Sequence, residues 1–262
     1  MAVAGVMAQP SASPLQAAPD AVAMKLHAGD VTMAFGGVKA LDGVDFWVPA
    51  GGAVGLLGQN GSGKTTLLNV ITGQLHPQHG TVMFNGRPML GLPPNAFAAA
   101  GIARVFQSVQ IFPRLTVSEN LAVAATATPA RSADSRPGIA SVLERMRLTA
   151  FANEWARDIS YGHQRLLEIA MALAAGAELI LLDEPTAGLA PALVETVIAC
   201  LRELNAAGTS LVLIEHETEV VFRVCQVVWV LHEGRVLARG TPAEIRNNSQ
   251  VLDLYLGAPK PC

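Results

Sequence analysis

Four short apolar runs, at residues 53–57, 102–106, 179–182 and 210–214, divide the chain. Each is four or five residues long, and runs of this length bounded by polar or glycine-rich segments predict buried strands of an α/β core. Between about Val117 and Ala175 the period changes. Leu166, Ile169, Ala170 and Leu173 follow the i, i+3, i+4, i+7 spacing of an amphipathic helix. Residues 24–54 read as strand-rich, and the Pro/Ser/Arg segment 129–138 reads as a loop within the helical part. Near the end, Thr241-Pro242-Ala243-Glu244 carries the pattern of a capping box with proline at the first helical position, and predicts a short helix.

At 262 residues the chain can bury one α/β domain with one smaller subdomain. Hydrophobic residues make up 51%, but much of this is alanine, and no run of about 18 apolar residues marks a membrane span. The net charge is −3, and no Lys/Arg block marks a nucleic-acid groove, so nucleic acid is not an expected partner. Cys200, Cys225 and Cys262 form neither a CxxC pair nor an even framework, which fits a reducing cytosol better than a disulfide or zinc scaffold. Residues 1–23 are rich in Ala, Pro, Ser and Gln without Lys or Arg, and read as a disordered leader rather than a secretory signal.

The chemistry begins after the first apolar run. Gly58-Gln-Asn-Gly-Ser-Gly-Lys-Thr65 matches GxxxxGK[ST] and is followed by the helix-like LLNVI, which gives strand, loop and helix in the required order. Gly58, Gly61 and Gly63 let backbone N–H groups converge on phosphate oxygens, and the helix that follows turns its positive end toward them. Lys64 is expected at the β and γ phosphates and Thr65 at Mg²⁺. Asn60, Ser62 and Thr66 complete the expected nucleotide-contacting set. The run at 179–182 ends in Asp183-Glu184-Pro185, so it delivers two carboxylates to the crevice at the carboxyl end of the sheet. One of them, Asp183, is assigned to the metal. The other, Glu184, is then free to act as general base on an attacking water. Gln107 and His216 also follow apolar runs and fall at strand ends. Each alone could be a structural residue, and their shared position is what argues for a common site.

The stretch ISYGHQ, residues 159–164, could on its own form a nucleophile site, a metal site or a turn. With the other motifs in order, the chain from about Met24 to Gly257 resembles the nucleotide-binding subunit of an ATP-binding cassette (ABC) transporter. The resemblance makes residues 58–65 the Walker A loop, Gln107 the Q-loop glutamine and second metal contact, ISYGH the signature, residues 179–184 the Walker B strand and His216 the switch histidine. Phe35 matches the aromatic position that stacks on adenine. The resemblance implies a P-loop NTPase α/β core, an N-terminal antiparallel β subdomain and a helical signature-bearing subdomain inserted at about 108–175, with residues 258–262 as a tail. It also implies ATP and Mg²⁺ as ligands, and a head-to-tail pair with a second cassette, identical or paralogous. Ser160 and Gly162 of one chain would then face the nucleotide held by the other. Ser160 reads as the helix N-cap, and Gly162 as the residue that keeps this surface bare.

The implied partners are membrane permease subunits and, indirectly, a periplasmic solute-binding protein. The implied location is peripheral, on the cytoplasmic face of the inner membrane. The ending GTPAEIRNNSQVLDLYLG, with SYGHQ and IEHE, most resembles the ATPases of branched-chain amino acid uptake. Urea, amide and lipopolysaccharide transport ATPases share such endings, so an envelope-lipid exporter remains an alternative, as does a soluble non-transport ABC ATPase. Two residues depart from the common pattern: His163 stands where glutamine is usual, and Ala190 where aspartate is usual.

Overall fold

The computed structural model describes residues 23–127 and 137–256. The proposed leader, apart from its last residue, the tail, and most of the 129–138 loop lie outside the described residues. Two sheets organise the molecule. An antiparallel sheet has the order β2-β1-β4-β5, formed by β1 (Met24–Phe35), β2 (Val38–Pro49), β4 (His79–Phe84) and β5 (Arg87–Pro88). The second sheet has the order β10-β9-β3-β8-β7-β6. It comprises β3 (Ala53–Gly58), β6 (Ile102–Val105), β7 (Leu179–Asp183), β8 (Ser210–Ile214), β9 (Val227–His232) and β10 (Arg235–Gly240). In this sheet β10 pairs antiparallel with β9, and every other pairing is parallel.

The parallel pairings bring the carboxyl ends of β3, β6, β7 and β8 to one edge, with Val105 opposite Leu182 and Asp183 opposite Ile214. All four expected strands are present, although β6 ends at Val105 and leaves Phe106 exposed. The two-residue alternation of side chains sorts the core into two clusters. Ile180 and Leu182 pack on the helical side, and Leu179 and Leu181 on the side of the antiparallel sheet.

The helices are α1 (Lys64–Ile71), α2 (Pro94–Ala100), α3 (Val117–Thr126), α4 (Ile139–Arg145), α5 (Tyr161–Ala174), α6 (Pro191–Ala206), α7 (Thr218–Val224), α8 (Pro242–Arg246) and α9 (Ser249–Leu256). Leu166, Ile169, Ala170 and Leu173 are buried on α5, as their spacing predicts. The capping box before α8 is complete: Thr241 Oγ1 accepts the Glu244 N–H, and Glu244 accepts the Thr241 N–H. Among the described residues, no helix is long and apolar enough to cross a membrane.

Candidate functional site

A cavity of about 320 Å³ opens at the carboxyl edge of the parallel strands. Asn60, Gly61, Gly63, Lys64, Thr65 and Thr66 line it from the loop and the start of α1, and Asp183, Glu184, Ile214 and His216 from the ends of β7 and β8. Phe35 and Ala40 complete the wall. Phe35 reaches the cavity because Gly36 and Gly37 both take positive φ, 51° and 87°, and form a tight hairpin turn between β1 and β2. Its ring is half exposed at the rim.

The loop folds back so closely that two of its glycines have no room for a side chain. A Cβ on Gly58 would lie 2.4 Å from the Leu231 carbonyl oxygen, and one on Gly63 would lie 2.5 Å from that of Ala40. Lys64 Nζ donates to the carbonyls of Gly58 (2.7 Å) and Gln59 (3.0 Å), so the lysine braces the loop that it follows. Burial pushes its pKa down, and the nearby charges of Glu184 and Asp183 oppose that shift. Gly58 and Ser62 do not line the cavity. Ser62 is buried, and its carbonyl accepts the Gly234 N–H at 3.0 Å.

The two carboxylates have different environments. Asp183 Oδ2 accepts from Arg104 Nη2 at 2.9 Å, and Arg104 Nη1 donates to Asn69 Oδ1 at 2.6 Å. Glu184 has φ 51°, a left-handed backbone that costs a non-glycine residue roughly 1 kcal/mol or more. Its N–H donates to the Ile214 carbonyl at 2.9 Å. This strained position aims its carboxylate at two partners, with Oε1 2.9 Å from His216 Nε2 and Oε2 accepting Gln107 Nε2 at 2.8 Å. Gln107, expected among the metal contacts, does not line the cavity; its amide nitrogen donates to Glu184, and the amide oxygen is the atom that would face a cation. The adjacent Glu215 is a different kind of acid. Buried, with its pKa raised by burial, it accepts the Thr186 N–H (2.8 Å) and Oγ1–H (2.7 Å) and ties the turn after β7 to β8.

Ser160 and Gly162 lie outside this cavity. Ser160 is the N-cap of α5: its hydroxyl lies 3.4 Å from the His163 N–H and 2.7 Å from His163 Nδ1. The His163 ring packs on Phe151 at 4.2 Å between centroids. Gly162 has a different reason from the one expected. It is buried, and a Cβ there would sit 2.2 Å from Leu193 Cδ1, so glycine lets α5 approach α6. Local sequence could not show a contact made 31 positions away. The roles of Arg104 and Arg165 were also missed. For Arg104 the available signal was an arginine inside the apolar run 102–106; Arg165, between Gln164 and Leu166, gave none.

Residues 41–187 match the ABC transporter family, and residues 235–260 match a family described as branched-chain amino acid ATP-binding cassette transporter. The chain is 36% identical over 248 residues to the high-affinity branched-chain amino acid transport ATP-binding protein BraF of Pseudomonas aeruginosa, covering 88% of this chain and 97% of BraF. The fold is similar to the ADP conformation of MJ1267, an ATP-binding cassette of an ABC transporter (TM-score 0.79, 30% identity, 90% of this chain and 99% of that one). It is also similar to the dimeric post-hydrolysis state of the cassette MJ0796 bound to ADP and Pi (TM-score 0.70, 27% identity, 83% and 98%). The chain belongs to the ABC transporter family. Its activity is that of the family's ATP-binding cassettes, ATP hydrolysis coupled to transport.

Proposed function

We propose that two cassettes, one of them this chain, close around two MgATP and drive a separate membrane permease, and that the solute imported is a branched-chain amino acid or a related small polar molecule. The carrying observation is the convergence of Lys64, Thr65, Asp183, Glu184 and His216 on one cavity at the carboxyl edge of a parallel sheet. The cavity volume and its oxygen-rich wall suit phosphates with a hard divalent cation. Thr65 and Asp183 are the residues that would hold Mg²⁺, and the cation, when bound, would neutralise phosphate charge.

The chain's own residues take the remaining work. Lys64 exchanges its contacts with the loop carbonyls for phosphate oxygens, and the N–H groups at residues 60–65 accept the rest of the negative charge. Glu184 accepts the proton of the attacking water. His216 and Gln107 fix the direction in which its carboxylate points. Phe35 stacks on the base, and Ser160 at the N-cap of α5 faces the nucleotide of the opposing cassette. The solute assignment is supported by BraF and by the family match at residues 235–260. A peripheral position on the cytoplasmic face of the inner membrane follows from this reading, with a periplasmic binding protein delivering the solute.

The test is uptake of radiolabelled leucine by cells of the source organism lacking this chain. Uptake should fall, and the wild-type chain, but not Lys64→Ala, should restore it. Leucine uptake unaffected by loss of the chain would refute the solute assignment.

A further inference from the structure

Outside the cavity, the largest fully buried side chain among the described residues is a charged one, Arg165. It is wholly buried on α5, four residues after Tyr161 and five after the N-cap Ser160. Its guanidinium spans two consecutive backbone carbonyls of the segment after β6: Nη1 donates to Phe106 O and Nη2 to Gln107 O. Nη1 also donates to Glu168 Oε2 at 2.9 Å, and Glu168 Oε1 accepts the Phe106 N–H at 3.3 Å. Three backbone groups at residues 106–107 are therefore held from α5. The last contact of the guanidinium is the weakest, with Nη2 3.3 Å from the hydroxyl of Tyr161, a side chain almost half exposed beside Ser160.

Burying an ion pair is a poor way to gain stability, since apolar side chains of similar volume serve as well or better. What a planar guanidinium supplies is geometry: it holds the two carbonyls from two nitrogens of one rigid fork, where a lysine would reach them from a single freely rotating nitrogen. The fixed segment carries the Gln107 side chain, whose amide holds Glu184 Oε2 at 2.8 Å. A continuous polar path therefore runs from the exposed surface at the start of α5, through Tyr161, Arg165 and Gln107, to Glu184.

We infer that Tyr161 and Arg165 are positioning residues for hydrolysis, linking whatever closes on this chain's Ser160–Tyr161 surface to the orientation of its own Glu184. The inference deepens the proposed dimeric function and rests on it for the identity of the closing group, the nucleotide of the opposing cassette. Closure competes for the Tyr161 hydroxyl. That changes the one long contact of the guanidinium, while the short contacts carry the change to Gln107. Each chain would thereby sense occupancy of the opposite site.

The experiment is phosphate release against ATP concentration for the full chain in four forms: wild type, Tyr161→Phe, Gln107→Ala and the double variant. Tyr161→Phe removes one exposed hydroxyl and threatens folding little. A single hydrogen bond of this kind corresponds to about a 3- to 10-fold effect. The expected result is that kcat falls by this factor with KM for ATP changed less than about twofold, and that Tyr161→Phe has no further effect once Gln107 is alanine. Arg165→Lys should lower kcat more than Tyr161→Phe. If Tyr161→Phe leaves kcat unchanged, or lowers it by the same factor with and without Gln107, the relay is wrong. A hyperbolic wild-type dependence on ATP would instead count against the dimeric reading, so the two failures are separable.

Discussion

Glu184 Oε1 lies 2.9 Å from His216 Nε2, joining the residue after β7 to the second residue after β8 across neighbouring parallel strands. Neither side chain could hold the other from a flexible loop. Asp183 is in register with Ile214, and the Glu184 N–H bonds to the Ile214 carbonyl, so the sheet sets their separation. His216→Ala should therefore lower kcat while leaving ATP affinity within about threefold of wild type, because it frees one carboxylate oxygen without touching the phosphate loop. Nucleotide titration and phosphate release measure the two effects separately. A large loss of affinity with unchanged kcat would assign His216 to binding.

Lys64→Ala should behave in the opposite way. It removes the cation assigned to the phosphates and also the brace on the Gly58 and Gln59 carbonyls. Affinity for a fluorescent ATP analogue should fall about 10- to 100-fold, the range for a lost charge-assisted contact. Unchanged affinity would contradict the assignment.

Gly162→Ala should destabilise the fold by about 1 kcal/mol, since its Cβ would press on Leu193 Cδ1 and the leucine must shift. Adding Leu193→Ala should recover part of that loss. Thermal unfolding of the single and double variants decides, and strictly additive losses would show that the contact between α5 and α6 is not the reason for glycine.

Glu168 predicts a pH effect. Burial raises its carboxyl from 4.5 to about 6, against the opposing influence of Arg165. Between those values the folded chain keeps a proton that the unfolded chain has released, so stability falls as pH rises through the window. The size is about 2 kcal/mol. Relative to Glu168→Gln, the wild type should lose that amount between about pH 4 and about pH 7 in denaturant titrations. A pH-independent difference would show that Glu168 keeps its ordinary pKa in the fold.

The parts legible from sequence are those in which the chemistry is local. The phosphate loop, the acidic end of β7 and the capping box before α8 each need only neighbours within a few positions. Contacts between distant segments were not legible. Arg165 and Glu168 stand at helical spacing, and only the packing of residues 106–107 against α5 makes them a buried clamp. Gly162 looked like an open surface for the same reason: Leu193 is far away in sequence. The bond from the Gln107 amide nitrogen to Glu184, a residue 77 positions further along, was not legible either.

Phosphate release by Glu184→Gln, followed by size-exclusion chromatography in ATP, asks whether Glu184 is the base that takes the proton from water. Glutamine keeps hydrogen-bonding capacity at this position but cannot take a proton from water. The rate should fall about 10²- to 10⁴-fold while ATP still binds, and the variant should elute as an ATP-stabilised dimer. Hydrolysis at the wild-type rate would contradict the assignment of Glu184 as the base.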